Sequence, residues 1–305
     1  MTRRELLALP LTAAAASAAD PGRISFAYSG FVWQNNIADG IRTVGRFGFK
    51  GIEPFRQHIL PYLDRPQALK DLLGEAGISM VTCSNGGPMS IDFIDPAKVQ
   101  QTIDDHARFV KDFLRFFGCR HFKINLGQRP QGGPTEEQLR TMARTLNELG
   151  KRTVEFGVRL APHPHIWSPL ERQEEVEKVM RMTSPGYVQF VADTAHLTLG
   201  GIDPVQFIRT NFSRIAAFHF KDTEAKYRGY TGPTPTQEQH RKTNLYKNLG
   251  TGGVDFPTIY SDLKRRRFRG WATLDFDPPR PGEGTIEENI EHNRKYLVDE
   301  LGVKL

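Results

Sequence analysis

Residues 188–222 read VQFVADTAHLTLGGIDPVQFIRTNFSRIAAFHFKD, and this stretch decides the fold. Val188–Asp193 is a short apolar run ending on a carboxylate, Asp203-Pro204 opens a helix, and in Ile215–Lys221 two phenylalanines alternate with His219 and Lys221. Alternation at period two puts Phe218 and Phe220 on one face of a strand and His219 with Lys221 on the other. Working outward, similar runs recur at Ile24–Ser29, Gly51–Phe55, Ile78–Ser84, His121–Leu126, Arg159–His165 and Trp271–Asp277, with amphipathic stretches between them. Eight strands, each followed by a helix, predict an α/β chain closed into a (β/α)8 TIM barrel with parallel strands and right-handed crossovers. A doubly wound open sheet would carry a Gly-rich phosphate fingerprint after its first strand, and none is present.

The helical stretches carry their own start signals. Thr135 with Gln138, and Ser168-Pro169-Leu170-Glu171, read as capping boxes, and Asp95-Pro96 marks a further start. Leu139, Met142, Ala143, Leu146 and Leu149 recur on one helical face, as do Ile103, Ala107, Val110 and Leu114.

Composition bounds the rest. With 305 residues, 25% of them charged and 38% hydrophobic, the chain has a globular profile that excludes a membrane channel and a collagen. The net charge of +6 invites a nucleic-acid partner, but the densest basic run, Lys264–Arg267 with Arg269, closes a helix where cations favour the dipole. It reads as a solvated helix end, with no nucleic-acid partner. At the N-terminus, Arg3-Arg4 precedes an uncharged run over Leu6–Ala19 with small residues at its end. Residues 1–19 therefore read as a twin-arginine-like export signal for a periplasmic or exported protein, too short for a membrane span of about 20 residues. Residues 20–305 read as one catalytic domain. Cys83 and Cys119 fall at opposite ends of neighbouring strands and are expected to be free, buried thiols.

Function is read at the C-terminal ends of the strands, where barrel sites are built. The fifth strand ends in His163-Pro164-His165, the sixth in Asp193-Thr-Ala-His196, the seventh in His219-Phe-Lys221-Asp222 and the eighth in Asp275-Phe-Asp277. Any one of these could be a hydrogen-bonded rim residue. Together, four consecutive strands each offer a metal-type ligand, and carboxylates crowded into a barrel mouth repel one another without a cation. His163, Asp193, His219 and Asp275 are the expected metal ligands. Two imidazoles with two carboxylates suit Mn, Co, Fe, Ni or Zn better than Mg or Ca.

Gly48-Phe-Lys-Gly-Ile-Glu53, Asp193-Thr-Ala-His196, His219-Phe-Lys-Asp222, Leu249-Gly-Thr-Gly-Gly-Val-Asp-Phe256 and Gly270-Trp-Ala-Thr-Leu-Asp-Phe-Asp277 carry a resemblance. The chain resembles the sugar phosphate isomerase/epimerase superfamily, the xylose-isomerase-like TIM barrels that include tagatose 3-epimerases and inosose dehydratases. The resemblance implies a metal site of Glu, Asp, His and Glu on strands five to eight. Asp193 and His219 match outright; His163 and Asp275 stand where the family carries glutamates that also move protons.

The implied activity is that of a metal-dependent isomerase or epimerase on a keto or aldo sugar or polyol, working by proton abstraction beside a carbonyl. The alternatives are a lyase or dehydratase on a keto-inositol or 3-keto-glycoside, and non-catalytic carbohydrate binding. His165 is the leading base, with an expected pKa near neutrality, and Lys221 would approach it if desolvated. Glu53 joins them as a catalytic group. Lys123, Asn125, His196, Asp222 and Asp277 are the expected contacts to sugar hydroxyls. His58, His106, His121, His240 and His292 read as surface residues. The polar segment Thr223–Asn248 is too long for an ordinary loop and is expected to cover the site or a neighbouring protomer of a homo-oligomer.

Overall fold

The alternation in the seventh strand sets the layers of the molecule. Phe218 meets Phe268 with ring centroids 4.8 Å apart and Phe220 meets Phe256 at 5.3 Å, both in the apolar layer beneath the outer helices. The intervening His219 is turned into the barrel. A computed structural model describes residues 24–87, 89 and 91–305; the export signal read over residues 1–19 lies outside the described residues.

In chain order the strands are β1 (Ile24–Ser29), β2 (Gly51–Glu53), β3 (Ser79–Met80), β4 (His121–Ile124), β5 (Arg159–Pro162), β6 (Phe190–Asp193), β7 (Ile215–Phe220), β8 (Asp222–Thr223), β9 (Tyr246–Lys247) and β10 (Gly270–Leu274). Parallel ladders run in the order β3-β2-β1-β10-β7-β6, and β4 pairs with β5. Single parallel bridges, Ser84 to Lys123 and Leu160 to Val188, join these two groups on both sides and close the ring. The eight strands read from the sequence therefore form one closed parallel barrel. The pair β8–β9 is antiparallel and stands on the rim, inside the long polar segment.

Register decides what meets at the mouth. Asp193 on β6 is paired with His219 on β7, His219 with Thr273 on β10, and Ser29 on β1 with Glu53 on β2. The C-terminal ends of these strands thus stand at one level.

Around the barrel the helices follow their caps. The Thr135–Gln138 capping box opens Glu136–Val154, which carries Glu136 and Glu137 in its first turn and Lys151 and Arg152 in its last, as the helix dipole favours. Asp95 and Asp203 cap their starts by accepting from the backbone N–H groups of Ala97 and Gln206. The box read at Ser168 is not one. Its helix begins at Gln173, and Glu175 accepts from the N–H groups of Glu171 and Arg172 instead. Glu171 is free to face the rim.

The two cysteines are free and buried. The basic run is exposed at the end of the helix Phe256–Arg265, apart from the buried Phe268. Among the described residues, no helix is long and apolar enough to cross a membrane. Three histidines read as surface residues are buried: His58 packs against Phe31 and Phe55, His106 bonds Asn85 and Thr102, and His121 lies on β4. A lone His carries no periodic signal, so its side chain's direction was not legible from spacing.

Candidate metal centre and its acid–base neighbours

Asp193 ends β6 and turns its carboxylate into the mouth. One oxygen accepts from the backbone N–H groups of Ala195 and His196, at 3.0 and 2.9 Å, and caps the short helix Thr194–Leu199. The other, Oδ2, lies 3.4 Å from His163 Nε2, 3.4 Å from His219 Nδ1 and 3.9 Å from His196 Nε2. Asp275 Oδ2 is 3.6 Å from the same His219 nitrogen. Donor atoms of His163, Asp193 and His219 lie within 4.8 Å of one another, and so do those of Asp193, His196 and Asp275. Asp193 is common to both groups, so the four expected ligands converge, with His196 beside them.

Two observations test whether this set suits a cation. Two buried nitrogens that face the carboxylates, Nδ1 of His219 and Nε2 of His196, make no hydrogen bond. Burying an imidazole nitrogen without a partner is costly, and a metal bond removes that cost. The second is charge. Glu53, Asp193, Asp275 and Asp277 lie around Lys123 and Lys221, so four carboxylates face two ammonium groups. With the imidazoles neutral, as metal ligands are, a divalent cation balances the formal excess, and buried charge must be balanced. The residues fit a divalent metal.

Glu53 lies below this group rather than within it. Its carboxylate is 3.1 Å from His219 Nε2, 3.4 Å from Lys123 Nζ, and accepts from Ser84 and Thr273 hydroxyls at 3.4 and 3.3 Å. Burial would raise its pKa, but His219 and Lys123 outweigh that and hold it at about 2. His219 moves the opposite way: against the effect of burial, Glu53 leads the carboxylates in raising it well above the ordinary histidine value. This places Glu53 and the buried Lys123 behind His219, as groups that orient its ring.

Lys221 stands on the other flank of Asp275. Its ammonium is 3.3 Å from Asp275 and 3.1 Å from Asp277, and lies 3.9 Å from the Tyr246 ring centroid. Burial opposes its charge, yet Asp275, Asp277 and Tyr246 raise its pKa well above the ordinary lysine value. The expectation that desolvation brings Lys221 toward neutrality is corrected: its partners outweigh its burial.

His165 and His196 form a stacked pair with ring centroids 3.6 Å apart. Nδ1 of His165 faces the carbonyl of Ile166 and donates to it, which leaves Nε2 as the acceptor. Burial lowers the His165 pKa to about 4, with Lys221 and Lys123 adding to the shift. It lowers His196 well below its ordinary value, with the neighbouring His165 adding to it. The pKa near neutrality expected for His165 is also corrected. Both imidazoles are held neutral.

Not every expected contact faces the mouth. Asp222 is buried, and both its oxygens are consumed by backbone N–H groups of Thr223, Gly250, Gly252 and Val254. A Cβ at Gly252 would stand 2.1 Å from the Thr223 carbonyl, so the glycine run beginning at Gly250 is shaped to wrap Asp222. Asp222 clamps the rim rather than touching a ligand. Asn125, just past the end of β4, is held by Asn85, which it meets through its backbone N–H and its side chain.

The segment Thr223–Asn248 covers the site. Trp167 donates its indole N–H to the Pro235 carbonyl at 2.7 Å, Thr234 bonds Glu171 at 2.8 Å, and Arg280 holds the His240 carbonyl at 2.6 Å. Two residues that the sequence reading left out enter from it. Tyr246 places its hydroxyl 3.5 Å from His196, and His240 places Nε2 3.3 Å from Asp277. His240 is therefore not a surface residue; a single histidine in a polar segment has no spacing that would have revealed it.

A closed parallel barrel with a mixed imidazole–carboxylate cluster at its C-terminal mouth defines a class of TIM barrels with metal-type rim sites. Within it, the chain belongs to the xylose isomerase-like TIM barrel family, whose model matches residues 41–296. It is 24% identical over 290 residues to the inosose dehydratase of Clostridium botulinum (strain Alaska E43 / Type E3), covering 88% of this chain and 91% of that protein. With the inosose dehydratase of Clostridium tetani (strain Massachusetts / E88) it shares 28% identity over 170 residues, 55% of this chain. That match spans 57% of the relative, little more than half its length. Its fold matches that of the IolI protein with a binding zinc atom at a TM-score of 0.72 and 19% identity, covering 90% and 97% of the two chains. It also matches the E. coli 3-keto-D-glucoside 4-epimerase YcjR at 0.69 and 13%, covering 92% and 100%.

Proposed function

We propose that the protein is a divalent-metal-dependent enzyme that enolises a keto sugar or keto polyol, and that it works in the lyase sense, expelling the β-oxygen. An ion held by His163, Asp193, His219 and Asp275 would polarise the ketone, and the mixed donors suit Zn, Mn, Co, Fe or Ni over Mg. The observation that carries the reading is the asymmetry beside that cluster. Lys221 is a charged donor locked between Asp275 and Asp277, His165 and His196 are neutral acceptors, and Tyr246 touches both groups.

A reaction that returns the proton to the opposite face of one carbon needs two interchangeable bases. Elimination needs one base and one acid, as here. Nε2 of His165 takes the proton from the carbon beside the ketone, and the electron pair of that C–H bond becomes the new C=C bond. The β C–O bond breaks, and its oxygen takes a proton from the Lys221 ammonium and departs as water or an alcohol. Asp277 and His240 hold Lys221 and the covering segment in place. The inosose dehydratases among the relatives support this direction. The twin-arginine-like signal adds an export route that carries folded proteins, which suits an enzyme loaded with its metal before export.

Incubating the metal-loaded protein in deuterated water with keto-hexoses, inososes and 3-keto-glucosides, followed by NMR, tests the reading. Solvent deuterium at the carbon beside the ketone, together with release of water or aglycone, is expected. Exchange with return of an isomer would assign the isomerase direction instead, and no exchange on any ketone would leave only carbohydrate binding.

A further inference from the structure

The side chains of the metal-type cluster, His163, Asp193, His196 and His219, and of Lys221 beside it are buried. Beside it, on the rim between β1 and β10, lies a cavity of about 230 Å³. Two of the residues that line it belong to the reaction centre, Asp277, which holds Lys221, and Tyr246, which touches His196. Space at this rim therefore adjoins the acid side of the centre, the side to which a leaving oxygen must point.

The size and lining of the cavity define what it takes. An apolar cavity of roughly 150 Å³ holds a benzene ring, so this volume accommodates one six-membered ring with its substituents. Val32, Phe276 and Ile286 give it an apolar wall, and Asn244 and Asn289 a polar one. A pyranose, with C–H faces and hydroxyl edges, matches such a lining, as does a substituted aryl ring.

We infer that this cavity is a second subsite, and that the substrate is a keto-glycoside rather than a single free ring. The keto ring lies at the metal-type cluster, and the ring joined to it through the glycosidic oxygen occupies the cavity. This rests on the lyase reading above. In that reaction the linking C–O bond breaks, its oxygen takes the Lys221 proton, and the second ring leaves as an alcohol.

The zinc-loaded protein is assayed with three 3-keto-glucosides whose aglycones are methyl, phenyl and glucosyl. KM for the two ring-bearing substrates is expected to lie about tenfold or more below that of the methyl compound, equivalent to about 1.4 kcal/mol. Ile286→Trp fills the cavity and should erase that advantage, while kcat and KM for the methyl compound stay within about twofold; Asn289→Phe serves as a second filling variant if the first fails to fold. A preference for the glucosyl aglycone that Asn289→Leu removes assigns a sugar ring, and a preference for phenyl that survives it assigns an aryl ring. Equal KM for all three compounds in the unmodified protein, or an equal rise for all three in the filled variants, overturns the subsite. If no ketone turns over, the reaction reading falls separately. Saturation-transfer NMR with unreactive phenyl glucoside then decides the subsite, since contact that the filled variants lose sustains it and absence of contact overturns it.

Discussion

Glu53 reaches across the barrel to hold His219, with its Oε2 3.1 Å from Nε2. The bond places a proton on Nε2 and turns Nδ1 toward Asp193 and Asp275. Carboxylates behind ligand histidines fix both tautomer and ring orientation, and losing one costs roughly 10–100-fold in metal affinity. Glu53→Gln should weaken zinc binding by about that factor, and His219→Ala should weaken it further. Isothermal titration with zinc measures both, and unchanged affinity in Glu53→Gln would remove Glu53 from this role.

Lys221 neutralises Asp275 and Asp277 in a buried setting. Removing one partner of a buried ion pair costs about 3–5 kcal/mol because the other charge is left uncompensated. Lys221→Met should therefore lower the melting temperature of the metal-free protein. In the metal-loaded protein it should abolish release of the leaving group while deuterium exchange beside the ketone continues. Equal loss of exchange and elimination would mean that Lys221 is not the acid.

Trp167 holds the covering segment at a conformational expense. Its φ of 66° is unusual for a bulky residue. Three hydrogen bonds maintain it: its backbone N–H donates to Glu171 at 2.6 Å, its carbonyl accepts from the Arg129 N–H at 2.8 Å, and its indole donates to Pro235 at 2.7 Å. Trp167→Phe keeps an aromatic side chain and both backbone bonds but loses the indole hydrogen bond, a net of about 1 kcal/mol. Amides within residues 223–248 should exchange with solvent about fivefold faster on that scale, while barrel amides are unaffected. Uniform or absent acceleration would separate Trp167 from the segment.

His106 supplies an acid-sensitive element away from the metal-type cluster. Nδ1 donates to the Thr102 carbonyl at 2.7 Å, so Nε2 accepts from the Asn85 side chain at 3.0 Å. Burial lowers its pKa to about 4, Thr102 opposes the shift and Arg56 adds to it. Protonation would place a hydrogen on the nitrogen that accepts from Asn85. The folded pKa lies below the unfolded value of about 6.5, so this contribution is intact above that pH and is lost as pH falls toward about 4, to a limit of about 3 kcal/mol. In denaturant unfolding between pH 7 and 4, His106→Gln should flatten the pH dependence, and parallel curves for the two proteins would contradict the assignment.

Much of the barrel was legible because its signals are local. The alternation of Phe218 and Phe220 with His219 and Lys221 separates helix-facing from barrel-facing side chains without reference to any other strand. The capping box at Thr135 is equally local. The box read at Ser168 failed because Glu175 took the Glu171 backbone N–H, the His165 carbonyl took that of Ser168, and the Glu171 carboxylate was drawn to Trp167 and Thr234. The ligand-type residues were legible as a set because barrel geometry brings the ends of strands five to eight to one mouth.

By itself, the sequence determined the strand–helix rhythm, the closed parallel barrel and the residue types at its rim, since periodicity and strand-end position depend only on near neighbours. Only the tertiary structure decided which groups face one another across the mouth. It set Glu53 behind His219, locked Lys221 between two aspartates, turned Asp222 into a glycine-wrapped clamp, and brought Tyr246 and His240 over the site. It also held Lys221 charged and set the His165 pKa at about 4 instead of near neutrality. The physical reason is that charge state and hydrogen-bond partnership depend on distance and burial, and barrel closure sets both between residues far apart along the chain.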